Sequence, residues 1–323
     1  MTRQRITILG VNGAIGQEAA KAFVAAGWDV TGMARTDKAR LPGVRFVAGD
    51  ANSVSDMREA IGDSGVVLNA LNLPYVDWYG GRKEALMARV LDAMGTSGKT
   101  MLLPGTIYNY SASDRVVTPD LPQIPQTPRG AIRVRVEQMF RGAAERGDIQ
   151  MIVLHAGDFF SPGGIDWFDH VMLRDLAKGR FVTVGTPGTG HSWAYLPDLA
   201  RAFEALASLR STFGAFENFH FAGHFVTPEQ MASAIRTAIG APLRSSAFPL
   251  WSLKIIGLVD PLMREVGKMD YLWRNEMELQ DLRLDGLLGR GFGTPFEAAV
   301  AAKIAPRLAT LPGRVQLPAA VRI

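Results

Sequence analysis

The sequence predicts an α/β fold, a doubly wound parallel sheet with a smaller C-terminal lobe, and three observations carry that prediction. Short apolar runs alternate with helical patterns up to about residue 155. A glycine-rich turn follows the first run directly. Beyond residue 155 the alternation loses regularity, and Gly/Pro-rich joints stand at Ser161-Pro162-Gly163-Gly164 and Gly185-Thr186-Pro187-Gly188. The expected division is residues 1–155 for the sheet domain and 156–323 for the lobe, with some lobe segments returning to the sheet.

Six short, buried strands are expected at Ile6 to Leu9, Asp29 to Ala34, Val44 to Ala48, Val66 to Ala70, Thr100 to Leu103 and Met151 to His155. Ala14 to Ala26 reads as a helix stopped by Gly27. Lys83 to Met94 repeats Leu86, Val90 and Met94 on one side, and Ile132, Val136, Met139, Phe140 and Ala143 stripe a later helix. Ser111 to Arg129 carries Pro119, Pro122, Pro125 and Pro128 and reads as a long loop over one end of the sheet. Phe219-His220-Phe221 is expected as a strand. Thr227-Pro228-Glu229-Gln230 combines an N-cap, a first-turn proline and a capping-box glutamine, so a helix should run from there to Gly240. The apolar stretch Phe248 to Leu262 holds Lys254 and Asp260 between Pro249 and Pro261; it reads as a buried or pocket-lining helix, with a lipid-facing role as the alternative.

Composition removes several function classes. A chain of 323 residues that is 47% hydrophobic and 20% charged is globular rather than fibrous or disordered. With no cysteine it has no disulfide framework, thiolate zinc site or cysteine nucleophile. Lys+Arg 35 against Asp+Glu 31, without a basic run, does not call for nucleic acid. No signal-type core follows Met1 and no apolar run reaches spanning length, so a soluble, cytoplasmic protein without a membrane anchor is expected. His191, His220 and His224 lack metal-ligand spacing, and no metal site is expected.

The turn Gly10-Val11-Asn12-Gly13-Ala14-Ile15-Gly16 places three glycines between a strand and a helix. Such a turn lets the backbone approach a pyrophosphate and aims a helix N-terminus at it, so a dinucleotide is expected. Arg35 ends the second strand, where an NAD site would hold an acid for the ribose 2′-hydroxyl. A guanidinium there, with Lys38 or Arg40 close by, forks onto a 2′-phosphate and favours NADP over NAD. Asp50 either accepts from the adenine amino group or closes a local turn. The expected cofactor-binding set is Gly10, Asn12, Gly13, Ala14, Ile15, Gly16, Arg35, Asp50, Ala51, Ala70, Leu71 and Arg133.

On Gly10, Gly13, Gly16 and Asp50, on Leu68-Asn69-Ala70, on Gly105-Thr106-Ile107-Tyr108-Asn109-Tyr110 and on the segment from His191 to Ala200, the sequence resembles the extended short-chain dehydrogenase/reductase superfamily, NAD-dependent epimerase/dehydratase branch. The resemblance spans most of the chain. It implies a Rossmann domain with a C-terminal substrate lobe, a nicotinamide dinucleotide, substrates that are often nucleotide sugars, and dimers through a four-helix bundle. The homodimer would use the helices from Lys83 to Met94 and from Ile132 to Ala144.

The family's Tyr-x-x-x-Lys falls on Arg129 and Arg133 here, and an arginine cannot pass protons because it stays charged. Three readings follow. Arg133 holds the nicotinamide ribose while Tyr108 or Tyr110 carries the proton and Thr106 orients the substrate carbonyl; or both arginines bind an anionic group; or Arg133, Glu137 and Arg141 form a solvated ladder on the helix's outer face. Tyr108 and Tyr110 alternate with Ile107 and Asn109 and point the same way if the strand continues. His155 and Asp158 lie at the sheet's carboxyl edge, with His155 reading as a structural residue rather than a base. Aromatic residues in Tyr75-Val76-Asp77-Trp78-Tyr79 and Asp158-Phe159-Phe160, with Trp167, Phe168, Trp251 and Trp273, imply an apolar, flat-walled pocket, against ordinary packing as the alternative. Two functions compete: an NADP(H)-dependent oxidoreductase or epimerase-like enzyme with an altered proton carrier acting on a small molecule, and a non-catalytic NADP(H)-binding sensor. A fold-only structural subunit is a third, weaker option.

Overall fold

The computed structural model describes residues 3–163, 167–240 and 243–308. The chain forms β1 (Arg5–Leu9), α1 (Ala14–Ala25), β2 (Asp29–Ala34), β3 (Val44–Ala48), α2 (Val54–Ile61), β4 (Val66–Asn69), α3 (Arg82–Met94), β5 (Thr100–Pro104), β6 (Val116–Val117), α4 (Pro128–Glu145) and β7 (Gln150–His155). It continues through β8 (Asp158–Phe160), β9 (Arg180–Thr183), β10 (His191–Tyr195), α5 (Leu196–Leu209), β11 (Phe216–His220), β12 (His224–Val226), α6 (Pro228–Ile239), β13 (Arg244–Ala247), α7 (Ser252–Ile256), α8 (Pro261–Gly267), β14 (Glu278–Leu279), α9 (Leu282–Leu288) and α10 (Phe296–Leu308). Gly164 of the first expected joint and the lobe beyond residue 308 lie outside the described residues.

Seven parallel strands make the main sheet, in the order β11-β7-β5-β4-β1-β2-β3. The strand order reverses beside β1, which opens a crevice at the strands' carboxyl ends. Side chains alternate between two faces. Ile6, Ile8, Val66 and Leu68 pack against Phe23 of α1, Phe203 of α5 and Leu284 of α9. Val67, Met101 and Leu103 pack against Met57 of α2, Val90 of α3 and Phe140 of α4. Each such fully buried side chain contributes about 1.5–3 kcal/mol relative to exposure. The small lobe gathers Phe160, Trp193, Ile235 and Val300 under α6 and α10. The helix that opens at Thr227 has the expected capping box and ends at Gly240 with φ +67°.

Three expectations change. The main sheet has a seventh strand where six were expected: β11 takes in Phe219 and His220 of the expected Phe219-His220-Phe221 strand but starts earlier, at Phe216. It is an edge strand paired on one side only, so Glu217 and Asn218 interrupt its apolar run and weaken the pattern. The proline-rich loop is shorter than expected, because Val116–Val117 pairs with β14 and Thr127 caps α4 with Pro128 in its first turn. The stretch Phe248 to Leu262 is not a buried helix. Gly257 lets α7 and α8 cross so closely that a Cβ there would lie 2.9 Å from the Arg264 Cα, and Asp260 caps α8. The two short helices bury Leu253 and Glu265 and leave Trp251, Ile255, Leu258 and Val259 exposed at 64%, 58%, 75% and 86%.

The apolar stripes of α3 and α4 are spent on the sheet: Leu86, Val90, Ile132, Val136 and Phe140 are all buried there. Among the described residues no helix is long and apolar enough to cross a membrane.

Candidate functional site

The glycine turn is built by two different demands. Gly10 sits at φ +85°, and a Cβ on it would lie 3.0 Å from the Ala70 backbone; a Cβ on Gly16 would lie 2.5 Å from the Gly10 carbonyl oxygen. Both are required by the fold itself. Gly13 differs. Its φ of −73° suits any residue, a Cβ there would approach only the Gly10 oxygen at 3.5 Å, and it faces a cleft. What a side chain at Gly13 would fill is open cleft space. The N-terminus of α1 has no capping side chain and no acid in its first turn, so its free N–H groups and positive dipole end open onto the same space.

Around this turn the other expected cofactor residues take distinct places. Asn12 ties the turn to the loop after β2, donating to the Thr36 carbonyl at 2.7 Å and accepting from the Lys38 and Ala39 amides at 3.2 and 3.1 Å. Arg35, Lys38 and Arg40 stand exposed on that loop. Asp50 closes a turn, its Oδ1 accepting from the Asn52 amide at 2.9 Å, while Ala51 packs against the α2–α4 side of the core. Ala14, Ile15, Ala70 and Leu71 line the cleft with Gly13. Gly10, Asn12, Gly16, Arg35, Asp50 and Ala51 lie off its lining.

The cleft holds roughly 370 Å³, and its other wall comes from the end of β5, α3 and α4. β5 ends at Pro104, and Ile107–Asn109 turns as one 3-10 turn, so Tyr108 and Tyr110 do not share a direction. Tyr108 lines the cleft, and burial holds its phenol above the ordinary tyrosine value although Arg133 and Arg129 oppose the shift. Tyr110 is fully buried away from it. His220 Nδ1 lies 2.9 Å from the Val117 carbonyl and so carries the proton, which leaves Nε2 to accept from the Tyr110 hydroxyl at 2.8 Å. Burial and the neighbouring His155 push His220 down to about 3, and burial pushes Tyr110 up to about 12, so this pair keeps its protons in place near neutrality.

Thr106 donates from Oγ1 to Asn109 Oδ1 at 3.0 Å, and Asn109 Nδ2 in turn donates to Glu137 at 2.7 Å. Burial would raise the Glu137 carboxyl, but His155 at 3.4 Å and Arg133 outweigh it and hold it below the usual range. His155 is fully buried with Nδ1 against the Thr106 backbone, a structural role, and a Cβ on Gly105 would strike its ring at 2.7 Å.

Arg133 lines the cleft and is buried; its Nη2 donates to the Pro104 carbonyl and its Nε has no partner in the protein. The solvated-ladder reading therefore fails for Arg133 and Glu137, because α4 turns both under β5; only Arg141 is exposed, paired with Glu145 at 2.8 Å. Arg129 is committed elsewhere. It is 2% exposed, pairs with Glu265 at 3.2 Å, donates to the Tyr75 carbonyl at 3.3 Å and stacks its guanidinium 3.8 Å from the Tyr75 ring centroid. It bolts α4 to α8 and to the turn at Tyr75 rather than facing a ligand.

Lys83 is the cleft residue that the sequence reading missed. It sits three and seven residues before Leu86 and Val90, on the buried face of α3, and a lysine on an apolar stripe was the available signal. Its Nζ donates to the Leu71 carbonyl at 3.2 Å and to Asn72 Oδ1 at 3.1 Å, beside the Trp78 ring. Burial, with Arg133 adding to it, pushes the amine down to about 7. The folded value lies below the unfolded one, so the native state binds fewer protons between about 7 and the ordinary lysine value, and stability contributed by this position rises with pH across that window. In urea unfolding, Lys83→Met is expected to be more stable than wild type at pH 7 and to lose that advantage towards pH 10; an advantage constant with pH would refute the depressed amine.

The aromatic lining is partly as expected: Tyr75, Trp78, Phe159 and Trp167 face the cleft. Phe160 and Phe168 instead belong to the small lobe's core, Trp251 is exposed, and Trp273 donates to Asp158 at 3.1 Å behind the wall. Asp158 lines the cleft and also receives His191 at 2.9 Å.

The profile of the NAD dependent epimerase/dehydratase family matches residues 6–219. Solved structures share the fold at low identity. MoeE5 in complex with UDP-glucuronic acid and NAD is 18% identical, over 95% of this chain and 100% of that one, with a TM-score of 0.76. UDP-glucuronic acid 4-epimerase from Bacillus cereus, in complex with UDP-glucuronic acid and NAD, is 14% identical over 95% and 99%, with a TM-score of 0.74. The Bordetella bronchiseptica enzyme WbmH in complex with NAD+ is 19% identical over 94% and 97%, with a TM-score of 0.70. A comparison with curated protein sequences finds no match.

Proposed function

The chain belongs to the NAD dependent epimerase/dehydratase family, and from that membership we propose that it is an oxidoreductase or epimerase-like enzyme that prefers NADP(H) and moves the substrate proton without a Tyr-x-x-x-Lys pair. One observation carries the reading: the uncapped start of α1 faces a cleft whose far wall is built from Thr106, Tyr108, Lys83 and Arg133. The residues fit a dinucleotide, since Gly13 keeps its phosphate space clear and the partnerless Nε of Arg133 has a donor to give. When bound, the nicotinamide ring supplies the carbon that takes or gives hydride.

The family's tyrosine and lysine positions we read as Arg129 and Arg133. Arg133 holds the ribose or an anionic substrate group, and Arg129 has become a structural bolt. Thr106 spends its proton on Asn109, so its oxygen is left to accept from a substrate hydroxyl other than the reacting one. Tyr108 stays a phenol near neutrality and donates to the substrate oxygen. Lys83 changes charge in that range: its neutral amine keeps two N–H groups for Leu71 and Asn72 and offers a lone pair to the departing hydroxyl proton. Carbonyl reduction runs the same transfer backwards. The aromatic walls favour a small, largely apolar alcohol or carbonyl over a nucleotide sugar. A homodimer, which the resemblance implies, would use the polar outer faces of α3 and α4, where Arg135 donates to Glu84 at 2.8 Å.

Calorimetry tests the first half. NADP(H) should bind about tenfold or more tightly than NAD(H), and Arg35→Asp should reverse the order by replacing a 2′-phosphate fork with a 2′-hydroxyl acceptor. NADPH oxidation with a panel of aldehydes, ketones and nucleotide sugars tests the second. Binding without turnover of any of them would favour the sensor, and no binding would remove both readings.

A further inference from the structure

We propose that the crossed pair α7 and α8 docks the protein on an anionic lipid surface, with the turn Leu258-Val259 inserted among the acyl chains. This goes beyond the catalytic reading and needs no dinucleotide. Apolar residues Trp251, Ile255, Ile256, Leu258, Val259 and Leu262 are exposed together over twelve positions, a density unusual outside an interaction site. The two most exposed, at 75% and 86%, stand at the apex between the helices.

Charge selects the occupant. Five charged residues fall between Pro249 and Lys268. Both acids have partners: half-buried Asp260 accepts from the Leu262 and Met263 amides at 2.8 and 3.2 Å, and Glu265 is buried against Arg129, Tyr79 and Lys268. Lys254, Arg264 and Lys268 remain exposed while Asp260 is half-buried, so the rim of the apolar tip carries an excess of basic charge. An apolar wedge with a basic rim is what an anionic bilayer surface attracts. A second copy fits poorly. Helices of five and seven residues are too short to build a helix bundle, and a two-fold contact would set the basic rims against each other. The base of this helix pair lies near the cleft, because α8 packs on the turn that carries exposed Val76 and cleft-lining Tyr75.

The test uses the full chain, sedimented with phosphatidylcholine vesicles with or without phosphatidylglycerol. Binding is expected only with phosphatidylglycerol, weakened by salt. The double substitution Leu258→Asp and Val259→Asp should lower it about tenfold or more, and Lys254→Glu should lower it less. Quenching of tryptophan emission by brominated acyl chains should fall in Trp251→Phe. Calorimetry with NADP(H) on the same variants should match wild type, which confirms their fold and separates this surface from the dinucleotide site. If NADP(H) fails to bind wild type while vesicles do, the catalytic reading falls and this one stands. Absence of vesicle binding, equal binding by the double variant, or a dimer in sedimentation velocity that the double variant splits would each overturn it.

Discussion

Gly13→Val is expected to keep the fold and to cost about a hundredfold or more in dinucleotide affinity. The three glycines of the turn invite the opposite expectation, that any of them unfolds the domain. For Gly10 and Gly16 that is correct, since a Cβ at either meets backbone at 3.0 Å or less. Gly13 has an extended φ, ψ of −73°, 159° and no neighbour closer than 3.5 Å, so the chain tolerates a side chain there. The side chain would stand over the N–H groups that open α1. A diphosphate could then no longer reach the amides, and a loss of two or more hydrogen bonds to a charged group, at about 1.5–3 kcal/mol each, gives the stated factor. Circular dichroism and urea unfolding should overlay wild type while calorimetry loses the NADP(H) signal. Unaltered binding would mean that the cofactor does not lie over this turn.

Arg129→Met is expected to lower the unfolding free energy by about 3 kcal/mol and to leave NADP(H) affinity near wild type. Arg129 and Glu265 are a buried ion pair, at 2% and 9% side-chain exposure, and removing one partner strands the other's charge in a poorly solvated place. Lys268 and Tyr79 still reach Glu265, which keeps the cost at the lower end of the range for such pairs. Adding Glu265→Gln to Arg129→Met should recover part of the loss, because the stranded charge is gone. If Arg129 were instead an anion clamp, the single variant would unfold like wild type and lose ligand affinity. Denaturant midpoints beside calorimetry on the single and double variants distinguish the two.

Much of the sheet was legible in sequence. Central strands buried on both faces show as largely unbroken apolar runs, and β3, although a partly buried edge strand, still carries Val44, Phe46 and Val47, so β1 to β5 and β7 lie within a residue or so of expectation. β11 was legible only at Phe219 and His220, because Glu217 and Asn218 interrupt its apolar run. The proposed site was legible at the glycine turn, a backbone feature. It was poorly legible where function depends on which way a side chain faces. Tyr108 and Tyr110 were equivalent in sequence, and the 3-10 turn after Pro104 separated them. Arg129 and Arg133 were likewise equivalent until the partner of the first arrived from 136 residues along the chain.

By itself the sequence determined the parallel α/β sheet, the glycine turn after β1 and the cap of α6, because each arises from neighbours along the chain: period, turn chemistry and capping act over a few residues. Only the tertiary structure decided that Lys83 belongs to the cleft, that Tyr110 does not, and that the apolar stretch after Phe248 faces outwards. Burial, the pull of a distant charge and the crossing of α7 and α8 at Gly257 are set by which surfaces meet in space, and local pattern does not encode that.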